Sequence, residues 1–182
     1  PEAAPAEEPA GGSSPEALKA EGNALYVKDD HAGAVAKYGQ AIAAAEAAAG
    51  DSPQAAADRK ALAVLYGNRA QAALALLRRA RSGKLNESLP KELRSHAMRA
   101  NADASQAIEL DDTNAKAWLR KGQALLWMST LQQRAKESVA CIEQARSLGL
   151  PSSLQAESEQ WLTYGKAIFD KETPMPENCS LM

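Results

Sequence analysis

The amino-acid sequence predicts an all-α protein, and three observations carry that prediction. Ala, Leu, Glu, Lys, Arg and Gln dominate the 182 residues, all good helix formers. Aromatic residues make up 4 % of the chain and β-branched residues are scarce, so a sheet would lack its preferred material. Turn and helix-breaking residues then divide the chain into segments of helical length.

Each element follows from its boundaries. Residues 1–13, "PEAAPAEEPAGGS", read as a Pro/Ala/Glu/Gly linker too poor in apolar side chains to build a core. Ser14-Pro15-Glu16 gives a helix start: a capping hydroxyl, proline at the first helical position, an acid in the first turn. Helices are predicted over 15–28, 31–49, 57–81, 90–110, 114–129, 131–148 and 153–171. The breakers between them are Asp29-Asp30, Gly50-Asp51-Ser52-Pro53, Ser82-Gly83, Asp111-Asp112 and Gly149-Leu150-Pro151. Residues 172–182, "ETPMPENCSLM", form a Pro-containing tail.

Charge and cysteine usage exclude several classes. The net charge of −2 argues against a general nucleic-acid or membrane-surface binder, so any positive site must be local. Cys141 and Cys179, with His31 and His96, provide neither a disulfide framework nor metal-ligand spacing. A reducing compartment is the simplest reading. No apolar run is long enough to span a membrane, and no secretory signal opens the chain. The chain starts at Pro1 without a methionine, as expected of a fragment with room for a further domain upstream. Cys141 falls on an apolar helix face and reads as core. Trp118, Trp127 and Trp161 read as packing residues. His31 is expected at a helix start and His96 in an exposed insert. No catalytic constellation and no phosphate-binding glycine loop occur, so neither an enzyme, a cofactor nor a small-molecule substrate is expected.

Small residues and aromatics recur at fixed offsets. They are Gly22, Ala34, Tyr38 and Ala41 in one unit, then Ala70, Ala100, Ala104 and Ala107, then Trp118, Gly122, Leu125 and Ala135. "AIELDDTNAKAW" joins the last two units. In these residues the chain resembles tetratricopeptide repeat (TPR) proteins, whose unit is a helix pair of about 34 residues. The resemblance implies a right-handed superhelical stack of three hairpins: 15–48, 63–114 and 115–149, within a domain spanning 14–171, closed by a capping helix at 153–171. Two inserts depart from the pattern, at 49–62 and at 79–96. The second, "RARSGKLNESLPKELRSH", carries five Arg/Lys against two Glu. Extended helices are the favoured explanation for both, and a docking surface for an acidic partner is the alternative.

In such a stack the first helix of each pair lines a concave groove. Lys19 and Asn23 in "LKAEGNALY", Asn68 in "LYGNRAQAA", and Lys116 and Arg120 in "NAKAWLRKG" fall on those helices. Residue by residue they match the carboxylate clamp of repeat proteins that bind the C-terminal Glu-Glu-Val-Asp of the 70- and 90-kDa heat-shock chaperones. The resemblance thus implies a co-chaperone adaptor, cytoplasmic and non-enzymatic. The residue types suit a doubly anionic ligand, because three cations supply charge and two amides supply donors without adding repulsion. Two cations four residues apart on one helix repel by a few tenths of a kcal/mol, roughly. The clamp reading gives Lys116 and Arg120 a reason to tolerate that cost. Tyr26 and Leu74 are expected to line pockets for upstream peptide side chains.

The end, Cys179-Ser180-Leu181-Met182, resembles a C-a-a-X box, which implies farnesylation of Cys179 and weak membrane attachment if it is the natural terminus. Two other functions compete with the adaptor. One is a scaffold that grips a small GTPase through the basic insert, which deletion of 82–90 would disable. The other is the targeting part of an enzyme, such as a peptidyl-prolyl isomerase, whose catalytic part lies outside this chain.

Overall fold

The computed structural model describes residues 14–49, 56–81, 89–128 and 132–169. The linker 1–13, the residues 82–88 of the basic insert and the tail with Cys179 lie outside the described residues. Among the described residues the chain is all-helical: α1 (Pro15–Val27), α2 (His31–Ala49), α3 (Ala56–Arg81), α4 (Lys91–Leu110), α5 (Ala115–Trp127), α6 (Gln132–Ser147) and α7 (Ser152–Phe169). Every predicted helix is present, with ends shifted by no more than two residues.

Local chemistry sets the ends. The Ser14 hydroxyl accepts from the Ala17 N–H at 3.2 Å and caps α1, with proline in the first turn. Asp29 takes a positive φ of 61°, and Asp30 caps the next helix by accepting from the Gly33 N–H at 2.9 Å. Asn114 caps α5 by accepting from the Ala117 N–H at 3.2 Å. Gly149, at φ 85°, ends α6 in the left-handed region that a side chain would resist. α3 runs to 26 residues and α4 to 20. Leu89 and Pro90 apart, the described parts of both inserts are therefore helix. His96, expected in an exposed insert, lies on α4 and is half-buried, because that helix already begins at Lys91.

Each helix packs against its neighbours in sequence. Beyond that, α3 meets α5 and α5 meets α7, whereas among the described residues no two even-numbered helices pack together to a comparable extent. A stack in which alternate helices approach one another must curve with those helices on the inner side. Hairpins α1/α2, α3/α4 and α5/α6 thus follow one another, and α7 closes the end.

Small residues allow the close approach. Ala34, Ala41, Ala70, Ala100, Ala104, Ala107 and Ala135 have no exposed surface. A Cβ at Gly22 would stand 2.7 Å from the Tyr38 ring, and one at Gly122 would stand 2.6 Å from Ile142 Cγ1. The Ser138 hydroxyl donates to the Gly122 carbonyl at 2.7 Å, across the α5/α6 contact. Leu74, Leu77, Trp127, Ile142, Trp161 and Tyr164 fill the main core. Cys141 is a buried free thiol that burial pushes up to about 11, so it acts as a core residue. Trp127 and Trp161 pack with tilted rings 6.3 Å apart. Trp118 is half-buried and donates to the Asp112 carbonyl at 2.8 Å.

A polar chain ties the first two hairpins together. Arg69 grips Asp103 through two bonds, Nε to Oδ2 at 2.8 Å and Nη2 to Oδ1 at 2.7 Å. The same guanidinium lies 5.4 Å over the Tyr66 ring, and the Tyr66 hydroxyl donates to Glu46 at 2.6 Å. Asp103 is 4 % exposed, so this pair holds α3 to α4 only while both partners remain.

Candidate functional site

The residues Lys19, Asn23, Asn68, Lys116 and Arg120 lie on α1, α3 and α5; α3 and α5 pack together on the inner side of the curve, and Tyr26 of α1 bonds Gln71 of α3. Helical spacing pairs them. Lys19 stands one turn before Asn23, and Lys116 one turn before Arg120.

Arg120 is the centre of the arrangement. It is half-buried, and its Nε donates to Gln71 Oε1 at 3.1 Å. Gln71 in turn donates from Nε2 to the Tyr26 hydroxyl at 3.1 Å. A Cβ on Gly67 would stand 2.7 Å from Arg120 Nη1, so the missing side chain opens the seat that the guanidinium occupies. Burial pulls this guanidinium down to about 10, opposed by Tyr26, Tyr38 and Glu157 and reinforced by Arg78. It remains charged at neutral pH, and no acid of the described residues holds it in an ion pair.

Asn23 is anchored next to it. The buried Tyr38 hydroxyl donates to Asn23 Oδ1 at 2.7 Å. Burial raises that hydroxyl above its ordinary range, Tyr26 adds to the shift and Arg120 opposes it. Tyr38 therefore joins Asn23 and Arg120 in one neighbourhood. Its bond consumes the acceptor end of the Asn23 amide and leaves the amino end, two donors, for a ligand.

The other three members are unengaged. Among the described residues Lys19, Asn68 and Lys116 make no hydrogen bond or ion pair. Lys116 is exposed, while Asn68 and Lys19 are half-buried. Lys19 also borders an open cleft of about 380 Å³, lined by Ala45, Asp58, Leu62 and Leu65 between α1, α2 and α3.

Leu74 leaves the set of pocket residues. It is 0 % exposed and belongs to the core, so no ligand reaches it. Tyr26 is half-buried, and its hydroxyl accepts from Gln71, the residue that accepts from Arg120. Gln71, Gly67 and Tyr38 enter the site, and sequence alone gives none of them a role there. A helical stripe could have shown the first: Gln71 stands three residues after Asn68, about 60° around the same helix.

The chain is similar to the solved Arabidopsis OM64 TPR domain, with a TM-score of 0.52 and 25 % sequence identity over 81 % of this chain and 93 % of that one. The fold is a TPR helical stack. No protein-family profile matches the sequence. A TPR stack is a protein-interaction scaffold, and the coarse function that follows is recognition of another polypeptide. No described helix is long and apolar enough to cross a membrane.

Proposed function

We propose that this TPR module captures the C-terminal Glu-Glu-Val-Asp of a heat-shock chaperone of the 70- or 90-kDa class, through a dicarboxylate clamp of Lys19, Asn23, Asn68, Lys116 and Arg120. One observation carries the reading. Three helices that face the inner side of the stack contribute five donor side chains, and none of the three cations is neutralised by an acid among the described residues. A terminal aspartate offers two carboxylates, one on the side chain and one at the chain end. Binding it takes several donors and more than one positive charge, from positions fixed by a rigid scaffold.

The energetics suit a transient adaptor. A charge-assisted hydrogen bond nets roughly 1.5–3 kcal/mol. Four or five of them, less the cost of ordering the peptide, give about −8 kcal/mol, or micromolar affinity. The closeness of Lys116 and Arg120 costs a little in the free protein and is relieved when a dianion arrives. A chaperone partner of this kind would make the module a cytoplasmic co-chaperone adaptor with no chemistry of its own.

Charge reversal tests the assignment. Lys116→Glu should abolish binding of the free-acid peptide while leaving helicity unchanged by circular dichroism, because Lys116 is exposed and has no partner to lose. If the variant bound as tightly as the parent, Lys116 would not belong to a clamp.

A further inference from the structure

A second polar cluster joins α3, α5 and α7. Arg78 of α3 donates from Nη1 to Glu157 Oε1 at 2.9 Å, and Gln123 of α5 donates from Nε2 to that same oxygen at 2.9 Å. Glu157 belongs to α7, so one carboxylate of the closing helix bridges the two preceding inner helices. The partners are not fully satisfied. Arg78 Nη2 and Gln123 Oε1 are both buried without a hydrogen-bond partner, and Gln123 is 1 % exposed. Buried polar atoms left unpaired are uncommon and costly, and a ligand that pairs them recovers that cost.

Asn68, Gln71 and Arg78 form a stripe on one side of α3, and Arg120 and Gln123 form another on α5. Gln123 stands one turn beyond Arg120 on α5, and the charges of Glu157 and Arg78 both act on Arg120, so the cluster borders the clamp and faces residues upstream of a peptide's carboxyl end.

We infer that Glu157 is an internal stand-in for a peptide side chain: in the free protein it occupies the Arg78–Gln123 subsite, and an acidic residue upstream of the last three of the bound peptide displaces it. This rests on the clamp reading and adds a specificity element to it. The exchange swaps one carboxylate for another at Arg78, while the incoming main chain brings the N–H and C=O groups that can satisfy Gln123 Oε1 and Arg78 Nη2. Glu157 is 26 % exposed in its side chain, so it can swing to solvent without unpacking α7. The module would thereby favour acidic tails over neutral tails that share the same last residues.

Calorimetric titration of the whole chain with three free-acid peptides tests this: Ala-Glu-Glu-Val-Asp, Glu-Gln-Glu-Val-Asp and Ala-Gln-Glu-Val-Asp. The parent should bind at least one of the first two about fivefold tighter than the third. Arg78→Gln should erase that preference and leave the third peptide unchanged. Glu157→Gln, which keeps an oxygen acceptor for both Arg78 and Gln123, should tighten the preferred peptide about threefold and leave the third alone. Glu159→Gln, which removes a nearby carboxylate of α7 that pairs with Arg146, should change nothing. A preference that survives Arg78→Gln overturns the inference, and so does a gain shared equally by all three peptides in Glu157→Gln, which would be a bulk charge effect. Should none of the peptides bind the parent, the clamp reading itself fails. Should all bind without regard to Arg78 and Glu157, only the subsite fails.

Discussion

The hydroxyl of Tyr38 donates to Oδ1 of Asn23 at 2.7 Å, joining the second helix of the first hairpin to the groove face of the first. Asn23 is exposed and Tyr38 is 3 % exposed, so the bond runs from core to surface and decides which end of the amide a ligand meets.

Tyr38→Phe should keep the ring packing against Gly22 and lose only this anchor. We expect a stability loss of about 1 kcal/mol, the ordinary worth of one hydrogen bond. Affinity for the free-acid peptide should fall severalfold, because Asn23 can then turn its oxygen toward the anion. Denaturant unfolding and peptide titration read the two effects separately. Unchanged affinity would mean that the Asn23 amide needs no orientation.

Two glycines that both lie on inner helices should respond in opposite ways. At Gly122 a methyl group would meet Ile142 Cγ1 at 2.6 Å and the Ser138 carbonyl at 3.0 Å, a contact that includes backbone. Gly122→Ala should therefore cost about 1–3 kcal/mol through overpacking. At Gly67 the only close neighbour of a methyl group is the guanidinium of Arg120 at 2.7 Å, the far end of a flexible side chain. Gly67→Ala should leave stability equal or higher, since alanine favours a helix interior by up to about 1 kcal/mol. It should nevertheless weaken peptide binding by pushing Arg120 from its seat. Thermal unfolding with paired titrations checks both.

Arg120 carries a stability prediction whose direction is set by its lowered value. Burial holds the guanidinium near 10 when folded, well below its ordinary range, so folding disfavours its charged form. That cost is fully present below about pH 10 and disappears as the pH climbs through 10 toward the ordinary guanidinium range. Arg120→Met keeps the apolar stem and removes the charge, at the loss of one bond to Gln71. The variant should unfold at a midpoint no lower than the parent at pH 7, while peptide affinity drops by more than about tenfold. A clearly lowered midpoint would show that Arg120 is a structural residue.

The helices were legible in the sequence because their ends are chemical: Ser14 with Pro15, Asp30, Asn114 and Gly149 each act on the backbone next to them. The clamp candidates came from the resemblance to chaperone-binding repeat proteins, matched residue by residue on three helices. What could not be read was whatever depends on two helices meeting. The Tyr38–Asn23 bond, the Gly67 seat for Arg120 and the Glu157 bridge to Arg78 each join segments whose separation in sequence carries no signal. Leu74 was misplaced for a related reason. It stands about 120° around α3 from Asn68, on the face turned to the core, so nearness in sequence was a poor guide to shared surface.

Whether the groove reads a chain end is best decided by comparing Glu-Glu-Val-Asp as a free acid with the same peptide ending in an amide. The amide keeps every side chain and removes only the carboxylate at the chain end. The free acid should bind with micromolar affinity, and the amide more weakly by more than about tenfold, the loss of one or two charge-assisted bonds. Equal affinity for the two peptides would contradict a dicarboxylate clamp.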